Sequence, residues 1–300
     1  MSEENLLRRK RAFVIYLILA LGITWVAWIP SLIIADQQGY LLPTINNLPQ
    51  LLESGGIQNS HHLFLSISFS FAVYGPLIAG LVATALEKGK NGVDDLLGRL
   101  LKWRVEFKWY AIALGVALTI PLVPRLIAAV SGQIDKESGG ITWSLPLLVA
   151  IFVWQTLTSG LGEEPGWRGF LLPHLQSRFN PDRAIWVLGV IWAVWHYPFT
   201  IFDTITKAGD IQTMGLVITI LLSLAGQTLS LIGMSYLYAW MYNNTKSVLL
   251  VILFHGLSNF LPAVILARVS SALFLIIALM PWVLVFVLER VYDKDQFPGG

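Results

Sequence analysis

Long apolar runs separated by short polar stretches set the pattern of this chain. Eight runs stand out, at roughly 12–34, 63–86, 109–130, 143–163, 183–202, 213–241, 248–267 and 270–290. Each is close to the ~20 residues that cross the hydrocarbon core of a bilayer as a helix. Apolarity is continuous along them rather than alternating with period two, which favours helices over barrel strands. The pattern predicts an all-α fold, a polytopic membrane bundle of about eight transmembrane helices, forming a single domain over residues 1–300. The run 213–241 is long enough to include an interfacial turn. The loops are short and no internal repeat is evident. The first run, Ala12 to Ile34, is too long for a signal-peptide core and lacks a small-residue cleavage site after it, so it reads as a retained helix.

Composition agrees. The chain is 55% hydrophobic and 13% charged, against about 25% charged in soluble domains. A net charge of +2 gives no case for a nucleic-acid partner, and Cys 0 excludes disulfides, thiolate ligands and a cysteine nucleophile. Trp 12 suits interfacial aromatic belts. The cations sort by side. Arg8 to Arg11 precede the first run, Lys88 to Lys108 fill the loop after the second, and Arg168, Arg178 and Arg183 follow the fourth. With Lys246, Arg290 and Lys294 they make sixteen on one side, whereas Lys136, Lys207 and Arg268 are the three on the other. The positive-inside bias predicts that both termini face the cytoplasm.

Against this apolar background a few polar residues stand out. Glu163 and Glu164 end the fourth run, where an ionisable residue costs roughly 2.5–3.5 kcal/mol near the bilayer centre and marks function. The plainer reading is a helix cap at the water interface, answered by Arg168 four residues on. Pro165 disfavours helical geometry at Glu164 and suits the first turn of a new helix. Gly166 to Phe179 then reads as an amphipathic interfacial helix. In the fifth run His196 lies one turn after Trp192 on the same face. In the seventh, His255 and Asn259 are four apart and share a face. At 1.5 Å per residue the two histidines lie about 20 and 12 Å into their spans. All of these residues can line one cavity, expected to open towards the cytoplasm. A carboxylate, two imidazoles and an amide are parts of a water-activating hydrolytic site, as base, metal ligands or oxyanion donors. No H-E-x-x-H occurs, and no Ser or Thr sits in a nucleophile elbow. His61, His62 and His174 read as solvated loop or interface residues.

Glu163-Glu164-x-x-x-Arg168, an aromatic four before His196, and His255-x-x-x-Asn259 together resemble the CPBP intramembrane proteases, the CAAX prenyl protease and bacteriocin-processing family. The similarity runs from about residue 145 to 262. The resemblance implies an eight-helix bundle with its catalytic cavity at the cytoplasmic leaflet. Glu163 would then activate water, with Glu164 its supporting neighbour and Arg168 a structural anchor. His196 would orient the water or the carboxylate, and His255 and Asn259 would bind the oxyanion. Trp192 stands where the family usually has Phe, and either would supply an aromatic wall. The family has also been described as metalloproteases, which would make Glu163, His196 and His255 the ligands of a zinc ion; the metal-independent route is preferred. The expected substrate is a membrane-associated peptide or protein, lipidated or not, in a prokaryotic plasma membrane. The competing class is a non-enzymatic immunity or partner-binding protein that keeps the same bundle.

Overall fold

The computed structural model describes residues 2–134, 144–209, 211–267, 269–270 and 273–292, the side chain of Pro49 excepted. Lys136, Arg268 and Lys294, and the first residues expected for spans four and eight, therefore lie in part outside the described residues. The helices are α1 (Glu3–Gln37), α2 (Leu48–Glu53), α3 (Ser60–Ala72), α4 (Gly75–Leu100), α5 (Phe107–Val130), α6 (Leu145–Gln155), α7 (Leu161–Glu164), α8 (Leu172–Gln176), α9 (Pro181–Lys207), α10 (Thr213–Thr245), α11 (Val248–Ile265) and α12 (Phe274–Val291). Among the described residues β pairing is confined to one bridge, Ile134 to Val269.

Local chemistry explains where several helices begin. The side chains of Asn59, Asn180 and Ser247 each accept a hydrogen bond from the amide three residues on, meeting a donor that the first turn leaves unpaired. Seven helical runs are long and apolar enough to span a membrane, and α3 with α4 forms an eighth, bent by 45°. The bend falls at Val73-Tyr74, and Pro76 sits in the first turn of α4, where its missing donor costs no helical bond. The protein is thus a multi-pass membrane protein. Its outward faces carry large apolar residues such as Val26, Phe64, Leu222 and Phe286, a surface that suits lipid and not water. α10 runs unbroken for 33 residues, so the interfacial turn expected within 213–241 does not form.

The fourth span departs most from expectation. Helices α6, α7 and α8 are joined without a break by π-helical turns at Thr156–Gly160 and Pro165–Leu171. Leu145–Gln176 is therefore one 32-residue helical run, and Glu164 keeps right-handed helical angles (φ −64°, ψ −33°). Pro165 does not end the helix because the widened turn accommodates its missing donor, as π adjustments do in membrane helices. Nor is the segment after it interfacial: Pro165 through Leu172 are all buried. Two close approaches account for the glycines. A Cβ at Gly166 would fall on the carbonyl oxygen of Pro76 in α4, and one at Gly256 in α11 would fall on the Thr156 hydroxyl. Small residues at such contacts let membrane helices touch backbone to backbone. They hold the Thr156–Leu171 segment against both α4 and α11.

Candidate active site

The paired carboxylates sit inside the protein, both nearly solvent-free: Glu163 is 3% exposed and Glu164 0%. Successive residues on a helix point in different directions, and these two meet different partners. Glu164 turns to Arg168, whose Nη1 donates to both of its oxygens at 3.0 and 3.1 Å. The guanidinium carbon also lies 4.5 Å from the Trp192 ring centroid and 4.2 Å from that of Tyr238, so two aromatic faces meet the rest of its charge. Glu164 Oε1 further pairs with His255 Nδ1 at 2.7 Å. Since the carboxylate only accepts, Nδ1–H is the donor and Nε2 is turned elsewhere. The interface-cap reading fails here, because a cap would keep its charge in water.

Glu163 turns the other way, towards tryptophans. Its Oε2 accepts from Trp192 Nε1 at 2.7 Å and from Trp167 Nε1 at 3.3 Å. Its Oε1 lies 3.8 Å from His255 Nε2. One oxygen is fixed by two indoles, and the other remains for chemistry. The sequence reading missed this role of Trp192 and Trp167 by treating the aromatic only as a wall. The available cue was that Trp, unlike Phe, carries a donor that must find a partner when buried.

His196 donates Nδ1–H to the Trp192 carbonyl at 3.0 Å, which leaves Nε2 of the neutral ring as an acceptor. Asn259 Nδ2 makes only a long contact, 3.4 Å, to Gln155 Oε1, so its amide donors are lightly held. Glu163, His196, His255 and Asn259 all line one cavity of about 400 Å³, together with Trp192 and Tyr238, a size that suits a bound peptide segment. Glu164 and Arg168 lie behind its wall.

The cavity reaches away from the basic residues. Its lining runs from Glu163 and His255 past Phe199 and Pro262 to Pro43–Ile45, in the connection after α1. That is the end of the bundle away from the basic residues. Towards the basic end the way is closed by Trp167, Arg168, Leu171 and Trp240, all fully buried. The expected span four ends at the Glu pair, whereas the helical run continues past it to Gln176 at the basic end, so the π-turn segment lies between the cavity and the basic residues.

Two further corrections concern histidines. His62 is buried, stacked on Tyr40 with a centroid separation of 4.6 Å, and its Nε2 pairs with the Leu41 carbonyl at 2.9 Å. His174 is buried against Phe13 and bonded to Glu87 at 3.1 Å. Only His61 is solvated as read. As for a metal, no three His, Asp or Glu side chains among the described residues are grouped to hold one. With Glu163 Oε2 held by the indoles, Glu163 Oε1 and the Nε2 atoms of His196 and His255 are the donors that a zinc ion would take.

Residues 145–261 match the family model described as type II CAAX prenyl endopeptidase Rce1-like. The chain is also 29% identical over 192 residues to CAAX prenyl protease 2 of Methanococcus maripaludis, covering 61% of this chain and 67% of that one. The matched segment begins at the first residue of α6 and contains Glu163, Glu164, Arg168, His196, His255 and Asn259. Over that segment, with its all-helical multi-pass fold and these motifs, the chain is similar to the Rce1-like type II CAAX prenyl endopeptidase family.

Proposed function

We propose that this protein is an intramembrane endopeptidase in which Glu163 activates water without a metal. The observation that carries the reading is the division of labour between adjacent carboxylates, one neutralised by Arg168, the other facing the cavity with a free oxygen. In the proposed reaction, water gives a proton to Glu163 Oε1 and its oxygen adds to the scissile carbonyl carbon. His196 Nε2 accepts from the same water and holds it in line. The tetrahedral oxyanion accepts hydrogen bonds from Asn259 Nδ2 and from a protonated His255 Nε2, whose Nδ1–H stays on Glu164. Glu163 then passes its proton to the amine nitrogen as the C–N bond breaks, releasing acid and amine. Arg168 never touches the substrate; it fixes Glu164, and Glu164 fixes His255.

The relative's name concerns prenylated CAAX substrates, so a prenylated CAAX reporter peptide and its unprenylated counterpart are the first substrates to try. With both termini in the cytoplasm, as the charge bias supports, the cavity receives its substrate from the opposite leaflet. Cleavage should survive exhaustive chelation within about twofold and fail in Glu163→Gln. Loss of cleavage on chelation, restored by added zinc, would overturn the metal-free route. For sidedness, the cysteine-free chain accepts single labels: Thr44→Cys should react with an impermeant external reagent in intact cells, and Lys90→Cys should not.

A further inference from the structure

Beneath the layer that closes the active cavity lies a second one, of about 740 Å³, lined by the C-terminal half of α4, the α8 segment and the turn between α10 and α11. Its walls carry five cations and two carboxylates. The carboxylates are already engaged: Glu87 with Arg9 and His174, and Asp95 with Arg99. Lys88, Lys102 and Lys246 line the same space; none of them makes a close ion pair with a carboxylate among the described residues, and Lys88 acts on Glu87 only at longer range. Lys102 donates instead to the Thr245 carbonyl at 2.8 Å.

Lys246 is the most telling of the three. It is the one non-glycine among the described residues with positive φ, at 52°, a conformation that costs a side-chain-bearing residue about 1–2 kcal/mol. Its turn places a third cation beside Arg99 and Lys102. Burial, reinforced by those two charges, holds the Lys246 ammonium below the usual lysine range. The turn is the left-handed cap that ends α10, its amide donating to the Tyr242 carbonyl at 2.7 Å, and the ammonium it presents lies 5.5 Å from the Tyr242 ring centroid; like-charge crowding here favours an added anion. Arg99 also donates to the Gly169 carbonyl at 2.9 Å and to the Tyr242 hydroxyl, which ties this cluster to the residue beside Arg168.

We propose that this second cavity is a binding site for a phosphate-bearing anion, held by Lys88, Lys246 and Arg99. Basic pockets between helices at the cytoplasmic end of a membrane bundle take phospholipid headgroups, and the volume leaves room for more than a bare phosphate. The site does not depend on the catalytic reading given above.

The test uses the full chain. Melting temperature is measured in lipid-free detergent with sodium phosphate against sodium chloride at equal ionic strength. It is measured again in nanodiscs of phosphatidylcholine with and without phosphatidylglycerol. Wild type should melt higher with phosphate or with phosphatidylglycerol. In Lys88→Gln/Lys246→Asn, which keeps a residue tolerant of positive φ at 246, half-saturation should need roughly tenfold more anion. A response to free phosphate identifies a soluble anion; a response to phosphatidylglycerol alone identifies a headgroup. Should the variant not fold, native mass spectrometry of wild type decides, by preferential retention of phosphatidylglycerol over phosphatidylcholine or of phosphate. No rise with either anion and no preferential retention would overturn the site, as would an equal response in the variant.

Discussion

The two cavities share a wall, the buried segment from Glu163 to Phe170, yet their chemistry is opposite. The upper one is largely apolar and ringed by tryptophans, and it holds a single carboxylate oxygen without a direct hydrogen bond. The lower one is larger, crowded with cations and continuous with the basic end of the bundle. The difference shows what a π-helical segment achieves in this fold. By widening the helix rather than breaking it, the segment sends Glu163 to one side and buries Glu164 and Arg168 as a charge-neutral partition. The water-activating role proposed for Glu163 would then be exercised in an apolar space whose electrostatics are fixed by that partition. Substitutions on either side of the wall should accordingly fail in different ways.

The largest effect is expected at the free oxygen. Glu163→Gln keeps an acceptor for the indoles but removes the base, and turnover should fall by roughly 10²–10⁴ with an unchanged melting temperature. Near-wild-type turnover by folded protein would end the catalytic assignment. Arg168→Met should act through stability instead. It leaves Glu164 buried without its counter-ion, at a cost of about 3–5 kcal/mol. The double change with Glu164→Gln should recover part of that loss on a denaturation curve, because no bare charge then remains. A destabilisation that the double change does not relieve would show that packing, not charge, is at stake.

On the cavity side, Asn259→Ala should lower kcat by roughly 10²–10³ with KM nearly constant, as for an oxyanion donor. The double change with His255→Ala should cost much less than the product of the singles. If Asn259 is only interhelical glue, its loss will lower the melting temperature modestly and leave turnover per folded molecule intact.

How much of this was legible beforehand depends on the distance over which each feature is decided. Spans and candidate motifs are local, and continuous apolarity placed all eight while i, i+4 spacing paired Glu164 with Arg168. The unbroken run through Pro165 was misread because proline rules learned in water ignore π-helical relief inside a protein core. His62 and His174 were taken as solvated because their partners, Leu41 and Glu87, lie 21 and 87 residues away. The direction of the cavity escaped for the same reason: it is set by what plugs the bundle, a property of packing between α4, α11 and the π turn. The bond from Trp192 to Glu163 spans 29 residues, and its only trace in the sequence is an indole in place of a phenyl ring.

That bond gives the smallest and most discriminating test. Trp192→Phe keeps an aromatic ring against His196, His255 and Tyr238 and deletes one N–H. If the residue is only a wall, turnover, KM and melting temperature should all stay near wild type. If the indole fixes the Glu163 carboxylate, Oε2 loses the shorter of its two donors and the carboxylate gains rotational freedom. A hydrogen bond to a charged group contributes about 1.5–3 kcal/mol, so kcat should fall roughly ten- to hundredfold. KM should change less than kcat, because a phenyl ring still lines the cavity there. Trp167→Phe deletes the longer bond at 3.3 Å and should cost less. Equal losses from both variants would point to general loosening of the aromatic layer, with a lowered melting temperature to match. A large loss from Trp192→Phe alone, at constant stability, would make this indole a positioning residue for Glu163.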